Sequence, residues 1–195
     1  MEQRHFHRRN LPHLYYKGGE YFITFRLADS LPLKQILQLR EELKLTNEEL
    51  SIKEKRIFKK YDELLDQNEY GSNVLSNELI AKLIRDKLHS LDGSVYKLIC
   101  YCIMPNHVHL AFRLLSETQS VSGVMKLIKG ATSRECNKVL NKTGKFWQVE
   151  SFDRLIRDAY EMYNIVNYVL NNPVKAGLVS KPEDWKYSYC NSDFY

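Results

Sequence analysis

The segment that most constrains the fold is the run YKLICYCIMPNHVHLAFRL, residues 96–114. It contains two stretches of β-branched, aromatic and aliphatic residues, and the pair Pro105-Asn106, which is typical of turns, separates them. The pattern predicts a β-hairpin with strands over 95–104 and 107–115.

The second strand of this hairpin carries two histidines on one face. Successive side chains of a strand point to opposite sides of the sheet, so His107 and His109 share a face with Ala111 and Arg113. The opposite face is predicted to be the core face, with Val108, Leu110, Phe112 and Leu114. Two imidazoles at this spacing can bind one metal ion, and an oxygen ligand beside them would suit Mn²⁺ or Mg²⁺. The pair is also compatible with surface histidines or with core histidines that make only structural hydrogen bonds.

The rest of the chain predicts an α+β fold. Strand and helix patterns follow one another in this order: a strand at 21–27, helical patterns at 33–66 and 77–89, the hairpin, a helix at 121–140, a loop at 141–153 and a last helix at 158–171 that ends before Pro173. This order favours a ferredoxin-like sandwich, an antiparallel sheet with helices packed on it. We expect one domain, 1–195, with a helical insertion at about 46–93 and a C-terminal tail at about 174–195.

The last helix carries a tyrosine within a polar stripe. At about 100° per residue, one narrow arc of this helix collects polar side chains, namely Arg157, Glu161, Asn164, Tyr168 and Asn172. The i, i+4 spacing places Tyr168 and Asn172 one above the other, close enough to serve the same site. The alternative is an exposed tyrosine without a function.

Taken together, these segments resemble the single-tyrosine HUH transposases, in particular the REP-associated tyrosine transposases. The resemblance covers nearly the whole chain and is carried by ordered blocks: GGEYFITFR, MPNHVHL, IKGATSRECNKVL, GKFWQVESFDRLIRD, NYVLNNPVKAGLV and LVSKPEDWKYSY. The stretch YDELLD…G…L…IAKLI is similar to an insertion found in one subgroup. The resemblance implies the HUH endonuclease fold.

The resemblance also implies a mechanism. His107 and His109 would be metal ligands, Asn172 the third, amide-type ligand, and Tyr168 the nucleophile. The reaction would be metal-dependent cleavage and transfer of single-stranded DNA at hairpin-containing repeats, through a 5′-phosphotyrosine intermediate, with Mg²⁺ or Mn²⁺ as cofactor. Neutral ligands leave the full charge of the ion for the phosphate. Activity is expected to fall below about pH 6, where histidines protonate.

The sequence indicates which residues contact DNA less clearly than it indicates the metal ligands and the nucleophile. The formal net charge of +5 permits a polyanionic partner without requiring one. Candidate DNA-binding residues are Lys126, Lys129, Arg134, Arg154 and Arg157 for backbone phosphates and Trp147 for stacking on a base. A solvated helix face and a core tryptophan would produce the same pattern.

Two other functions remain open at the level of sequence. One is a catalytically inactive nucleic-acid-binding module on the same fold, and the other is a metal-dependent phosphodiesterase that uses water, with Tyr168 only structural. No run of 18 apolar residues predicts a membrane span, and the four cysteines form no CxxC pair, which favours reduced thiols and a cytoplasmic location. The sequence is compatible with a homodimer and with a monomer.

Overall fold

The computed structural model describes residues 5–8, 12–15, 18–44, 50–116 and 119–194. The strands within these residues are β1 (His5–Arg8), β2 (Pro12–Tyr15), β3 (Glu20–Arg26), β4 (Tyr96–Ile103), β5 (His107–Leu114), β6 (Phe152–Ile156) and β7 (Ser188–Cys190). The helices are α1 (Leu33–Lys44), α2 (Leu50–Asp66), α3 (Glu78–Ser90), α4 (Val121–Val139) and α5 (Ala159–Lys175). β1 and β2 form a separate two-stranded ribbon.

The predicted hairpin lies at the centre of a five-stranded sheet with strand order β6-β3-β5-β4-β7. Every pair of neighbouring strands in it is antiparallel. On β5, His109 lies opposite Cys102 of β4 on one side and opposite Thr24 of β3 on the other. The strand that carries the two histidines is therefore central, and both of its faces are available for packing against helices.

The two faces of the sheet bury different kinds of residues. One face packs against α3 and α4 and forms the larger apolar core, which includes Val108, Leu110, Ile84, Val124 and Ile128. This is the core face that the alternation in β5 predicts. The other face packs against α5 through a smaller apolar group that includes Phe22, Ala111, Met162, Val166 and Val169. The histidines belong to this second face.

The helical pattern at 33–66 forms two helices, α1 and α2, and residues 45–49 between them lie outside the described part of the chain. The middle of α2 lies over the second face of the sheet, because Phe58 contacts Phe22 and Phe152 there. The helix α3, which falls within the predicted insertion, contributes Ile80 and Ile84 to the larger core. The range 46–93, predicted as an insertion, therefore contains both a core helix and a helix that covers the histidine face.

The prediction that the last helix ends before Pro173 is wrong, because α5 continues to Lys175. A proline has no N–H group of its own, but the amides of the residues after it can still donate hydrogen bonds. The amide of Ala176 donates to the carbonyl of Asn172, and the amide of Leu178 donates to the carbonyl of Pro173, each at 2.9 Å. The extra residues bring Lys175 onto the same helix as Tyr168.

Within the described residues, no helix combines the length and the apolar character that a membrane crossing requires. All four cysteines are free thiols, and three of them are buried.

Candidate active site

The side chains of His107 and His109 converge on one point inside the protein. Both are fully buried, and their Nε2 atoms lie 2.9 Å apart. The Nδ1 atom of His107 lies 2.6 Å from Oδ1 of Asn106, and Nδ1 of His109 lies 2.9 Å from Oγ1 of Thr24. These second contacts orient the two rings so that both Nε2 atoms face each other.

Asn106 determines the tautomer of His107. Its amide nitrogen donates to the carbonyl of Leu65 at 3.0 Å and to Oδ1 of Asn68 at 2.8 Å, which leaves its oxygen facing the imidazole. Because an amide oxygen only accepts, Nδ1 of His107 must carry the proton. Its Nε2 therefore presents a lone pair to the shared point, as a metal ligand does.

Burial keeps both imidazoles neutral. It lowers the pKa of His107 to about 3, with a further contribution from His109, and it lowers the pKa of His109 to about 4. The prediction that activity falls below about pH 6 as these histidines protonate is therefore corrected, because desolvation moves their pKa values well below 6. The neutral form is the one that binds a metal ion.

A carboxylate from α2 completes this group, and sequence reasoning did not predict it. Asp62 is fully buried, and its Oδ1 lies 3.3 Å from Nε2 of His109. Asp62, His107 and His109 offer ligand atoms within 4.8 Å of one another, so the three residues could hold a metal ion. The signal was present in YDELLD, but an aspartate in a highly charged helix looks like any solvent-facing residue.

Asn172 reaches the same point from α5. Its side chain is fully buried, and its Nδ2 lies 3.0 Å from Nε2 of His109. Its Oδ1 has no hydrogen-bond partner within the described residues, and neither has Oδ1 of Asp62. A buried oxygen without a partner is costly, and a bound cation would supply one for each.

The spacing of these groups fits a divalent cation. Adjacent ligands of an octahedral ion with bonds of about 2.1 Å lie about 3.0 Å apart. Nε2 of His109 lies 2.9 Å from Nε2 of His107 and 3.3 Å from Oδ1 of Asp62, close to this spacing. Two imidazole nitrogens with carboxylate and amide oxygens are also a donor set that Mg²⁺ and Mn²⁺ accept.

Tyr168 lies directly beside this group. Its ring contacts that of His109 edge-on, with centroids 5.5 Å apart, and its hydroxyl donates to Oδ2 of Asp62. Burial raises the pKa of Tyr168, and the nearby Asp62 carboxylate raises it further. The hydroxyl therefore keeps its proton at neutral pH. The i, i+4 argument placed Tyr168 and Asn172 together, and the structure does bring both to His109.

A lysine and a second aspartate border the site, and neither was predicted. The ammonium of Lys175 lies 3.2 Å from Oδ2 of Asp62 and 2.8 Å from Oδ2 of Asp66. Burial and the neighbouring Asp62 raise the pKa of Asp66 to about 6. Burial alone would lower the pKa of Lys175, but the two carboxylates outweigh it and raise that pKa. The lysine thus joins α5 to the last turn of α2.

The predicted DNA-binding residues of α4 lie on the other face of the sheet. Lys126 and Arg134 are exposed there. Lys129 instead donates to the carbonyls of Gln148 and Val149 and to the hydroxyl of Ser151, at 2.8, 3.1 and 2.7 Å. Burial lowers its pKa to about 8. The prediction that Lys129 contacts DNA is therefore corrected, because its ammonium holds the segment 148–151.

Trp147 and Arg154 also have structural partners. The ring of Trp147 is only 4% exposed, packs on Phe25, and donates its N–H to Thr132 at 2.8 Å. The predicted stacking of this ring on a base is therefore corrected, because the ring belongs to the apolar core. Arg154 pairs with Glu161, whereas Arg157, which lies just before α5, is exposed.

Comparison with known proteins adds a family relationship. A family model described as "Transposase IS200 like" matches residues 52–172, a span that includes Asp62, both histidines, Tyr168 and Asn172. A protein of Haemophilus influenzae named as a candidate REP-associated tyrosine transposase is 29% identical over 107 residues, which are 50% of this chain and 61% of that protein. The REP-associated tyrosine transposase of Escherichia coli K12 is 24% identical over 98 residues, 50% of this chain and 56% of that protein. The chain thus spans less than two thirds of the length of these relatives.

A solved structure shows the same fold. The structure of a REP-associated tyrosine transposase bound to a REP hairpin superposes with a TM-score of 0.51 and 22% identity, over 93% of this chain and 80% of that one. The predicted α+β, ferredoxin-like arrangement is confirmed by this likeness and by the antiparallel sheet with its packed helices.

Proposed function

Because the chain belongs to the IS200-like transposase family, we propose that it cleaves and rejoins single-stranded DNA through a covalent tyrosine intermediate. One observation carries this proposal: the hydroxyl of Tyr168, from α5, lies at the same buried point as the imidazoles of His107 and His109, from β5. A phosphate that touches a cation held there would also lie within reach of the phenolic oxygen.

In this mechanism Tyr168 is the nucleophile. Its oxygen attacks a phosphodiester, the bond from phosphorus to the 3′ oxygen breaks, and the 5′ phosphate stays on the tyrosine. The covalent link conserves the energy of the broken bond, so the strands can be rejoined without a nucleotide cofactor. Rejoining is the reverse attack by a 3′ hydroxyl, after which Tyr168 is free again.

The metal ligands in this proposal are His107, His109 and Asp62, with Asn172 as a fourth group, and the ion is Mg²⁺ or Mn²⁺. When bound, such an ion acts as a Lewis acid that neutralises charge on the phosphate. The imidazoles stay neutral because they are buried, and Asn106 and Thr24 keep their rings oriented toward the shared point. The site is therefore formed before any ligand arrives.

The proposed substrate is single-stranded DNA next to a hairpin. The solved relative that shares this fold is bound to a REP hairpin, and this supports a hairpin for the present chain as well. Lys126, Arg134 and Arg157 are exposed, and we propose that they contact backbone phosphates. Such a substrate implies a cytoplasmic protein.

A second candidate is a phosphodiesterase in which water attacks the phosphate. The observation that favours it is the raised pKa of Tyr168, which keeps the phenol protonated and weakly nucleophilic. In that case Tyr168 would only pack against His109.

The test uses a pool of labelled oligonucleotides that carry varied hairpins and single-stranded flanks. The protein is mixed with the pool and Mn²⁺ or Mg²⁺ and run on a denaturing gel. We expect a protein-linked band that disappears in Tyr168→Phe, in His107→Ala and with EDTA. Tyr163→Phe is the matched control, because Tyr163 lies on the same helix and is 65% exposed, and it should keep the band.

The other results identify the alternatives. Free cleavage products without a protein-linked band, retained in Tyr168→Phe, would show that water is the nucleophile. Binding of hairpins by the protein without any cleavage would indicate a catalytically inactive nucleic-acid-binding module.

A further inference from the structure

Two of the free cysteines face each other on neighbouring strands. Cys100 lies in β4 and Cys190 in β7, and the antiparallel register of these strands places the two residues directly opposite each other. Cys100 belongs to the apolar group on the second face of the sheet, and Cys190 packs against that group. Residues opposite each other in an antiparallel pair project to the same side of the sheet, so the two thiols are neighbours.

The backbone hydrogen bonds beside this pair show which kind of pair it is. The amide of Asn191 donates to the carbonyl of Ile99 at 2.8 Å, so positions 99 and 191 are a hydrogen-bonded pair. Bonded and non-bonded pairs alternate along an antiparallel ladder, and the next pair, Cys100 with Cys190, is therefore non-hydrogen-bonded. In pairs of this kind the Cα atoms lie about 4.5 Å apart and the side chains come closest.

This spacing meets the requirement of a disulfide bond, whose two Cα atoms usually lie about 4.4–6.8 Å apart. The two thiols also influence each other: burial raises the pKa of Cys100, and the neighbouring Cys190 raises it further. Among the described residues no other cysteines are paired in this way. Cys102 lies opposite Ser188 of β7, and Cys136 belongs to the larger core on the other face of the sheet.

The two thiols differ in access from solvent. Cys100 is fully buried, whereas Cys190 is only partly buried, so a small reagent reaches Cys190 first. Burial raises the pKa of Cys190 as well, and because the thiolate is the reactive form, the reaction is slow at neutral pH. The buried Cys100 is within reach of Cys190 itself and can complete the reaction from inside the protein.

We propose that Cys100 and Cys190 are a reversible disulfide site whose oxidant is a low-molecular-weight disulfide; this inference is independent of the proposed function. Cys190 gives its proton to solvent and its thiolate attacks one sulfur of the small disulfide, from which one thiolate leaves with the electron pair. Cys100 then loses its proton and attacks the sulfur of Cys190, and the second small thiolate leaves. The protein thiols lose two electrons, and the small disulfide becomes two thiols by taking up the two protons.

The bond would join an edge strand covalently to the body of the protein. β7 has three residues and lies at the edge of the sheet. Around it, the indole N–H of Trp185 donates to the carbonyl of Ile103 at 3.1 Å, and the side-chain amide of Asn191 donates to the carbonyl of Leu98 at 3.3 Å.

The closed loop would run from residue 100 to residue 190 and would contain both histidines, Tyr168 and Asn172. A link across so long a loop restricts the unfolded chain much more than the folded one. Oxidation should therefore stabilise the part of the chain that carries the candidate active site.

The experiment incubates the full-length protein with excess glutathione disulfide at mildly alkaline pH, where more of each thiol is ionised. EDTA is present throughout. Alkylation under denaturing conditions and peptide mass mapping then count the remaining thiols. We expect two of the four thiols to disappear, one peptide pair linked through Cys100 and Cys190, and Tm raised by about 4–16 °C. Dithiothreitol should reverse all three changes.

Three variants locate the reaction. Cys100→Ala and Cys190→Ser should form no internal disulfide and should show no rise in Tm after the same treatment. The second of them replaces the partly buried partner, so it tests the pair even if the core substitution impairs folding. Cys102→Ala is the matched control, since Cys102 is in the same strand and is equally buried. It should form the disulfide as the wild type does.

The contrary results are specific. Glutathione that stays attached to Cys190, or four thiols that persist after treatment, would show that the pair cannot close. A disulfide between two protein molecules, or one that Cys102→Ala abolishes, would refute the assignment of the pair. An oxidised protein whose Tm equals or falls below that of the reduced one would contradict the stabilising role of the bond.

Discussion

At the scale of single residues, the amide of Asn106 connects three parts of the site. Its oxygen accepts from His107, and its nitrogen donates to Leu65 and Asn68 at the end of α2. One side chain in the hairpin turn therefore sets a ligand's tautomer and holds the helix that carries Asp62. A serine or alanine at this position could not make all three bonds.

The same residues predict how stability depends on pH in the metal-free protein. The folded pKa values of His107 and His109, about 3 and about 4, lie below the unfolded value of about 6.5, so the unfolded state binds more protons between these limits. Each histidine therefore lowers the free energy of unfolding as pH falls from about 6.5 to about 4. The pKa of Asp66 is raised to about 6, so the folded state binds a proton there that the unfolded state does not, and this offsets the effect of one histidine.

The expected net slope is about 1.4 kcal/mol per pH unit between pH 6 and pH 4, with stability decreasing toward acid. Urea unfolding in EDTA at half-unit steps measures it. Asp66→Asn removes the offset and should make the slope steeper by about the same amount. A flat profile, or stability that rises toward acid, would contradict the buried neutral state of the histidines.

At the scale of elements, α5 presents an apolar side to the sheet and its catalytic candidates to the histidines. Met162, Val166 and Val169 are buried against the sheet, and Tyr168 and Asn172 follow on the neighbouring side of the helix. The rotation of the helix about its axis thus decides where the hydroxyl lies. Its first turn is defined by Asp158, whose Oδ1 accepts from the amide of Glu161 at 2.7 Å.

Replacing Asp158, the N-cap residue of α5, should weaken the helix without altering the residues of the candidate active site. Asp158→Ala leaves the amide of Glu161 without its acceptor and is expected to cost about 1 kcal/mol, which for a chain of this size lowers Tm by about 2–4 °C. Asp158→Asn keeps an acceptor and should retain most of the stability. Thermal unfolding followed by circular dichroism measures both, and equal Tm values for alanine and wild type would show that the cap does not contribute.

At the scale of the whole molecule, the two faces of the sheet are closed in different ways. The larger core under α3 and α4 is almost entirely apolar, whereas the face under α5 and α2 encloses Asp62, His107, His109 and Asn172. The chain returns from α2 to the body through a tight turn at Gly71, where Ser72 donates to Asp29 at 3.1 Å. This turn places the segment that follows α2 against Asp29.

A side chain at Gly71 should disturb this closure. The residue has φ +76°, and an added Cβ would lie 2.4 Å from the carbonyl oxygen of Asp29. Gly71→Ala is therefore expected to lower the free energy of unfolding by at least ~2 kcal/mol and to weaken Mn²⁺ binding at least tenfold, because Asp62 depends on the position of α2. Gly93→Ala is the matched control.

Gly93 has φ +73°, and no atom lies within 4 Å of an added Cβ. Gly93→Ala should therefore cost only the backbone strain of an alanine at positive φ, about 1 kcal/mol of unfolding free energy. Chemical unfolding and calorimetric Mn²⁺ titration of the two variants separate the clash from the strain. Equal losses in both would show that the contact with Asp29 does not matter.

Short-range patterns in the sequence by themselves determined the hairpin, the shared face of His107 and His109, and the alignment of Tyr168 with Asn172. Period-2 alternation and i, i+4 spacing are properties of single elements, so they can be read without knowing what packs where. The resemblance to a transposase family came from the order of such segments.

Only the tertiary structure decided that Asp62 and Lys175 join the site. It also decided that Lys129 and Trp147 make structural contacts within the protein. Burial depends on which helix covers which face of the sheet, and no local pattern records that choice. The state of each titratable group follows from the same cause, because desolvation and neighbouring charges act only after the helices have packed.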